Sequence, residues 1–285
     1  KINLFFEDKE KIINFLNFDK KNKNFMYIFQ NKDFKKKLIE IISKKKNIKL
    51  IKKNIEKINN DNSFVMIDKR KISYDLIILS TGGLSKLYSE IEAGRSIKKN
   101  YDEVAITATV KHKAKIETAS QFFLKEGPLA VLPFQKNAFS TVWSVSNEYF
   151  KINKLNLQMI LTEKLRNLLN TKNIEHIKRV QSFSINLNLK TKYYKKNVLI
   201  LGDGLHAVHP IAGQGFNLVL RDIKKLSDLI FKTVKLGLLF KNSLLLENFY
   251  NSRKPENNLL GFGISITNLF FKSGKYFNGF KKIIL

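Results

Sequence analysis

The apolar positions of this chain fall into two periodicities. Between residues 101 and 146 there are four runs, 104–110, 119–124, 129–134 and 139–146, rich in Val, Ile, Thr, Phe and Ala. Charged or turn-like stretches such as Glu126-Gly127-Pro128 separate them. β-Branched and aromatic runs between turn signals read as strands, so this region predicts a β-sheet with Trp143 in its core. Shorter strands are predicted at 25–29, 48–52, 54–59, 63–68 and 74–79, with Asn60-Asp61-Asn62 as a turn. A strand pair is predicted across 177–189. Residues 1–30 otherwise alternate apolar and charged character without a helical period. Helical spacing appears at 33–45, with Phe34, Leu38, Ile41 and Ile42 on one face. It recurs at 155–169, with Leu157, Ile160, Leu161, Leu165 and Leu168 inward. The longest helical pattern follows Pro210, with Leu218, Val219, Ile223, Leu226, Leu229 and Ile230 on its apolar face.

Residues 197–222 organise the rest. Val198, Leu199, Ile200 and Leu201 have the length of a buried strand, and Gly202 ends the run. Asp203 then stands at the strand's carboxyl end, where open α/β sheets bind ligands. Pro210, Ala212, Gly213 and Gly215 lead into the long helix. Proline suits a first helical turn, whereas each glycine costs about 1 kcal/mol against alanine. The glycines make sense if a flat ligand lies against the backbone, with N–H groups and the positive helix end aimed at an acceptor. A competing reading takes Gly202 to Ala207 as G-x-G-x-x-A, a dinucleotide fingerprint. That motif needs a helix opening inside it and an acidic residue at a strand end about 20 positions on. Here Val208-His209-Pro210 follows, and Asp222 lies inside the helical pattern. The sequence therefore favours Asp203 accepting hydrogen bonds from ligand hydroxyls while the Gly213 and Gly215 turn meets a ring system.

Charge changes this picture little. There are 52 lysines and arginines against 24 aspartates and glutamates, a net charge of +28, which invites a nucleic-acid reading. The excess is spread along the whole chain as Lys mixed with Asn, Ile and Phe, so a solvated basic surface without nucleic acid is expected. The charge also favours anionic lipid. With no cysteine, disulfides and thiolate metal sites are excluded. His206 and His209 lack the acidic neighbours that would complete a metal site, so no metal is expected. No run of 18 apolar residues predicts a transmembrane helix.

The segment His209, Pro210, Ile211, Ala212, Gly213, Gln214, Gly215, Phe216 and Asn217, followed by Arg221-Asp222, closely resembles the signature of the ubiquinone-biosynthesis hydroxylases. These are FAD-dependent aromatic monooxygenases of the p-hydroxybenzoate hydroxylase fold. Gly202-Asp203 resembles their Gly-Asp motif, whose carboxylate holds the flavin ribityl chain, and His206 falls where the family often has a histidine. Val219 departs from the usual Gly, and Gly204-Leu205 from the usual Ala-Ala. Ser80, Thr81, Gly82 and Gly83 stand where the family has a second motif with Asp-Gly, which contacts FAD phosphate and assists NAD(P)H binding. No Asp is present here, and a bare glycine turn fits these residues as well as a working contact does. Residues 244–255 resemble the family's tyrosine-and-arginine helix. The tail from 259, with Lys272, Lys275, Lys281 and Lys282, fits either a basic amphipathic segment on a membrane or a helix packed on the protein.

The resemblance implies an α/β flavoprotein. Its Rossmann-like FAD-binding domain (31–100 and 190–240) lacks its first βαβ unit and is interrupted by an antiparallel substrate-binding sheet (1–30 and 101–189). Helices follow over 241–285. The implied cofactor is FAD, with NAD(P)H as reductant and O2 as co-substrate, and the implied activity is hydroxylation of a lipophilic, polyprenylated phenol. The implied location is cytoplasmic, peripheral at the inner membrane face or in contact with a ubiquinone-biosynthesis complex. Gly202, Asp203, His209, Pro210, Ala212, Gly213, Gln214, Gly215, Phe216, Asn217, Gly82 and Gly83 are the expected cofactor-binding residues. With the G-x-G-x-x-G turn expected upstream of Lys1, the 285 residues alone are expected not to retain FAD. Two alternatives stay open: another flavoprotein of this fold, such as a halogenase or prenyl reductase, and a basic nucleic-acid or membrane-surface binder without flavin chemistry.

Overall fold

The computed structural model describes residues 1–9, 11–19, 26–83, 85–90, 95–210, 213–241 and 244–272. Its strands are β1 (Ile2–Asp8), β2 (Lys11–Phe18), β3 (Lys57–Asn59), β4 (Phe64–Ile67), β5 (Arg70–Ser73), β6 (Ile77–Leu79), β7 (Ser96–His112), β8 (Ala119–Leu124), β9 (Gly127–Gln135), β10 (Ala138–Ser146), β11 (Ile174–Lys190), β12 (Tyr194–Lys195), β13 (Val198–Ile200) and β14 (His206–Ala207). Its helices are α1 (Asn31–Ser43), α2 (Leu87–Glu90), α3 (Asn147–Asn153), α4 (Leu157–Leu168), α5 (Gln214–Lys235) and α6 (Leu244–Lys272). This is a mixed α/β fold, as expected. The chain divides into two units, one of Lys1–Leu50, Asp102–Ile185 and Phe270–Leu285, the other of Ile51–Tyr101 and Asn186–Leu269.

The first unit is built on the four β-rich runs. They become β7 to β10, within an eight-stranded sheet ordered β14-β11-β7-β10-β9-β8-β1-β2. Alternation along β10 buries Phe139, Thr141, Trp143 and Val145, as a sheet with one covered face requires. The cover is α4, whose Leu157, Leu161 and Leu165 share one apolar cluster with Trp143, Phe139, Ile106 and Leu129. Trp143 is completely buried, as predicted. The sheet is mixed, not antiparallel throughout. β1 joins β8 in parallel, from Ile2↔Ala119 to Phe6↔Phe123, and returns antiparallel as β2.

Several expected elements move. Residues 26–29 and 48–52 form no strand, and Phe25 lies outside the described residues. Their apolar side chains are mostly exposed, and no strand among the described residues pairs with them. The predicted strand pair at 177–189 is one continuous strand, β11. The helix predicted from 155 begins at Leu157, after α3, and Leu155 is left exposed.

The second unit holds two small sheets, β12-β13-β6 and β3-β4-β5. The strands predicted over 54–59 and 74–79 shrink to β3 and β6, and β5 was not anticipated. β13 is buried along its whole length and pairs in parallel with β6: Val198↔Ile77, Leu199↔Ile78, Ile200↔Leu79. These strands share a core with Leu226 of α5 and Leu246 and Phe249 of α6. Within α5 the buried positions are Leu218, Asp222 and Leu226, while Ile223, expected inward, is 46% exposed. The described part of the C-terminal tail continues α6. Gly261 lies against Leu189 and Ile264 is buried, while Lys275, Lys281 and Lys282 lie outside the described residues.

Gly127 opens β9 with φ of +133°, and an added Cβ would run into the Ser144 carbonyl on β10. Gly127→Ala is therefore expected to destabilise the first unit by about 1–3 kcal/mol. Urea unfolding followed by fluorescence of Trp143, the chain's one tryptophan, measures the change.

Candidate functional site

Parallel pairing of β6 with β13 places their carboxyl ends side by side. Each end turns on glycine. The β6 strand runs into Thr81, Gly82 and Gly83, and β13 into the Gly202–Gly204 turn. Leu201 N–H donates to the Leu79 carbonyl at 2.9 Å, extending the pairing to the lip of both turns. A Cβ on Gly83 would rest 3.6 Å from the Asp203 carbonyl, so the turns are in contact.

Tyr88 of α2 ties the two turns together. Its hydroxyl donates to the Gly82 carbonyl at 2.6 Å and accepts from Thr81 Oγ1 at 3.2 Å. Its ring occupies the space a Cβ on Gly204 would need. This explains the departure from Ala at position 204. Lys190 lies over the same ring, 5.6 Å from the centroid. Partial burial and the nearby Lys98 hold its ammonium pKa below the ordinary lysine range.

Gly82, Gly202 and Gly213 all have positive φ, +80°, +79° and +61°, and nothing within 4 Å of where a Cβ would stand. The backbone is therefore strained for any other residue and open to a ligand. Asp203, exposed on its turn, makes no hydrogen bond among the described residues. α5 starts at Gln214, so Pro210 precedes its first turn instead of lying within it. Gly213 N–H donates to the Pro210 carbonyl at 3.1 Å. No side chain caps this helix start, which carries about half a positive charge. Gln214 and Asn217 face each other across the first turn. Phe216 is exposed, whereas His209 is fully buried, its ring edge-to-face with Tyr101 at 5.2 Å. Ala212 lies outside the described residues.

Behind the open surface lies a buried polar network. Asp222 has no exposed surface. Its Oδ1 accepts from Arg253 Nε at 2.6 Å and from Asn257 Nδ2 at 3.2 Å, and its Oδ2 faces His206 Nε2 at 2.5 Å. Arg253 also donates to Asn257 Oδ1 at 2.8 Å and to Glu256. Asn257 Nδ2 reaches the Tyr193 hydroxyl at 3.4 Å. Burial pushes that hydroxyl's pKa up to about 12, against the hydrogen bond from Asn257, which lowers it. The buried carboxylate is thus compensated by a guanidinium and saturated with donors, the condition under which a buried charge is tolerated. The periodicity signal for this network is an acidic residue at position 222, four from Leu218 and four from Leu226, on the buried face of an amphipathic helix; the resemblance separately marks His206 and the segment holding Arg253.

These features make an α/β protein whose paired parallel strands end on open glycine turns, with a long helix that starts without a side-chain cap. Residues 83–235, more than half the chain, match the FAD binding domain family, and the chain belongs to that family. It is 28% identical over 206 residues to ubiquinone hydroxylase UbiL of Rhodospirillum rubrum, covering 70% of this chain and 47% of that protein. It is 24% identical over 314 residues to the mitochondrial ubiquinone biosynthesis monooxygenase COQ6 of Dictyostelium discoideum, covering 90% of this chain and 63% of that protein. The chain therefore spans less than two thirds of the length of either relative. Among solved structures, PqsL of Pseudomonas aeruginosa shares the fold with a TM-score of 0.75, over 98% of this chain and 80% of that one, at 16% identity.

Two outcomes are expected from the network. Arg253→Met leaves Asp222 buried without its counter-charge and should cost about 3–5 kcal/mol, measured by urea unfolding. Tyr193 ionises near pH 10 in an unfolded chain but at about 12 in the fold. Its contribution is thus complete below pH 10 and lost as pH rises to 12, by about 2–3 kcal/mol. Tyr193→Phe should flatten that alkaline loss in stability measured across the same interval.

Proposed function

We propose that this chain carries most of an FAD-dependent monooxygenase of the ubiquinone-hydroxylase type, acting on a lipophilic phenol with NAD(P)H and O2. The observation that carries the reading is the meeting of two open glycine turns, with Asp203 exposed on one of them, in a chain of the FAD binding domain family. The names of the relatives, a ubiquinone hydroxylase and a ubiquinone biosynthesis monooxygenase, support the substrate class. On this reading residues 31–100 and 190–240 hold FAD, 1–30 and 101–189 face the substrate, and 241–285 form the C-terminal helical segment. A polyprenylated substrate would bring the protein to the cytoplasmic membrane surface, and no helix among the described residues is long and apolar enough to cross a membrane.

The residues fit the cofactor. Asp203 would accept hydrogen bonds from ribityl hydroxyls, and Gly202 and Gly213 would let a flat ring approach the backbone. The start of α5 would favour negative charge on that ring, and Gly82 with Gly83 would border the same ligand. Bound FAD supplies the redox chemistry and oxygen activation, so the protein needs no nucleophile of its own. What the chain contributes is binding, orientation and a fixed positive dipole.

Because the exposed Asp203 side chain makes no hydrogen bond among the described residues, Asp203→Ala separates binding from folding. In the full-length protein it should leave thermal stability within about 0.5 kcal/mol. It should also raise the FAD dissociation constant about 10- to 100-fold, the loss of one charge-assisted hydrogen bond. An unchanged constant in flavin titration would remove Asp203 from the site.

A further inference from the structure

We propose that His206, Asp222 and Arg253 form a positioning device that sets the gap between the Gly202–Gly204 turn and the start of α5. The Gly202–Gly204 turn and α5 are neighbours in the fold. His206 follows the turn by two residues, on β14, where it pairs with Leu189. Asp222 lies eight residues beyond Gln214 on α5, about 12 Å along a rigid helix. The His206–Asp222 contact of 2.5 Å therefore bridges the strand-side and helix-side halves of the site. Arg253 and Asn257 of α6 hold the same carboxylate from behind, so Asp222 cannot swing away to follow a shifted helix. The functional part of this inference rests on the flavin reading above. The mechanical part does not.

The proton arrangement follows from the donor count. Oδ1 of Asp222 is taken by Arg253 and Asn257, so Oδ2 must receive its proton from His206 Nε2. His206 Nδ1 is buried with no hydrogen-bond partner among the described residues. A bare lone pair there is cheaper than an orphaned N–H. His206 is therefore the neutral tautomer with hydrogen on Nε2. A glutamine amide can stand at the Nε2 place and an asparagine amide at the Nδ1 place. Since Nδ1 has no partner among the described residues, His206→Gln should keep the bridge, and His206→Asn should break it.

Hydrogen exchange of the full-length, flavin-free protein tests this. His206→Asn should raise exchange in residues 202–205 and 214–218 together and leave the β6 and β13 amides protected, while His206→Gln stays at the wild-type level. FAD titration should then show about tenfold weaker binding for His206→Asn and a change within about twofold for His206→Gln. Nitrogen NMR of labelled histidine in the wild type, which needs no variant to fold, should find His206 protonated at Nε2 and bare at Nδ1. A proton on Nδ1, equal behaviour of the two variants, or a rise confined to one segment would overturn the proposal. So would a general rise that includes β6 and β13. If the wild type binds no FAD, the flavin reading fails, and exchange with NMR still decides the positioning device.

Discussion

The site depends on the parallel pairing of two three-residue strands. β6 and β13 are more than a hundred residues apart in the chain, and only their register, Ile77 to Leu79 against Val198 to Ile200, brings the two glycine turns into contact. Parallel strands need a long crossover, and here the intervening residues include the large sheet of the other unit. The pairing is held by burial: β13 is wholly enclosed, and each fully buried aliphatic side chain contributes about 1.5–3 kcal/mol. The candidate site thus rides on a small apolar core whose open end is polar and glycine-rich.

The second constraint is electrostatic. Asp222 places a charge inside the core of this unit, where removing one partner costs more than the pair contributes. Such a pair adds little net stability, but it has few acceptable geometries. That makes it suited to fixing β14, α5 and α6 against one another, a task that apolar packing of interchangeable leucines does less specifically. The glycines work in the opposite sense. They leave backbone uncovered at Gly202 and Gly213, and Tyr88 shows how space is used where it is not left open, by filling the place of a Cβ at Gly204.

Much of this was legible in the sequence, for physical reasons that differ by element. The runs at 104–110, 119–124 and 139–146 became strands because their β-branched and aromatic residues meet an apolar helix across one face. The run at 48–52 is equally apolar and formed none, because strands need a pairing partner as well as propensity. β5 was missed for the converse reason. Arg70 to Ser73 is exposed throughout and owes its conformation to pairing with β4. At the site, Asp203 and the positive-φ glycines at 82, 202 and 213 could be read locally, since a turn after a strand is a local event. His206, Asn257 and Tyr193 could not be joined to Asp222 from sequence, because their meeting is made by packing three elements. Ile223 failed for a similar reason, since helical spacing gives a stripe but not which of two apolar stripes is covered.

The central claim is that one flat cofactor lies against the backbone of both turns and the start of α5. The most direct measurement is the set of amide proton and nitrogen shifts in the full-length protein as FAD is added. The account predicts saturable shifts at Gly82, Gly202, Asp203, Gly213 and Gly215 with a common dissociation constant, and little change along β8 to β10. Shifts confined to β8, β9 and β10, or different constants for the β6 and β13 turns, would contradict it.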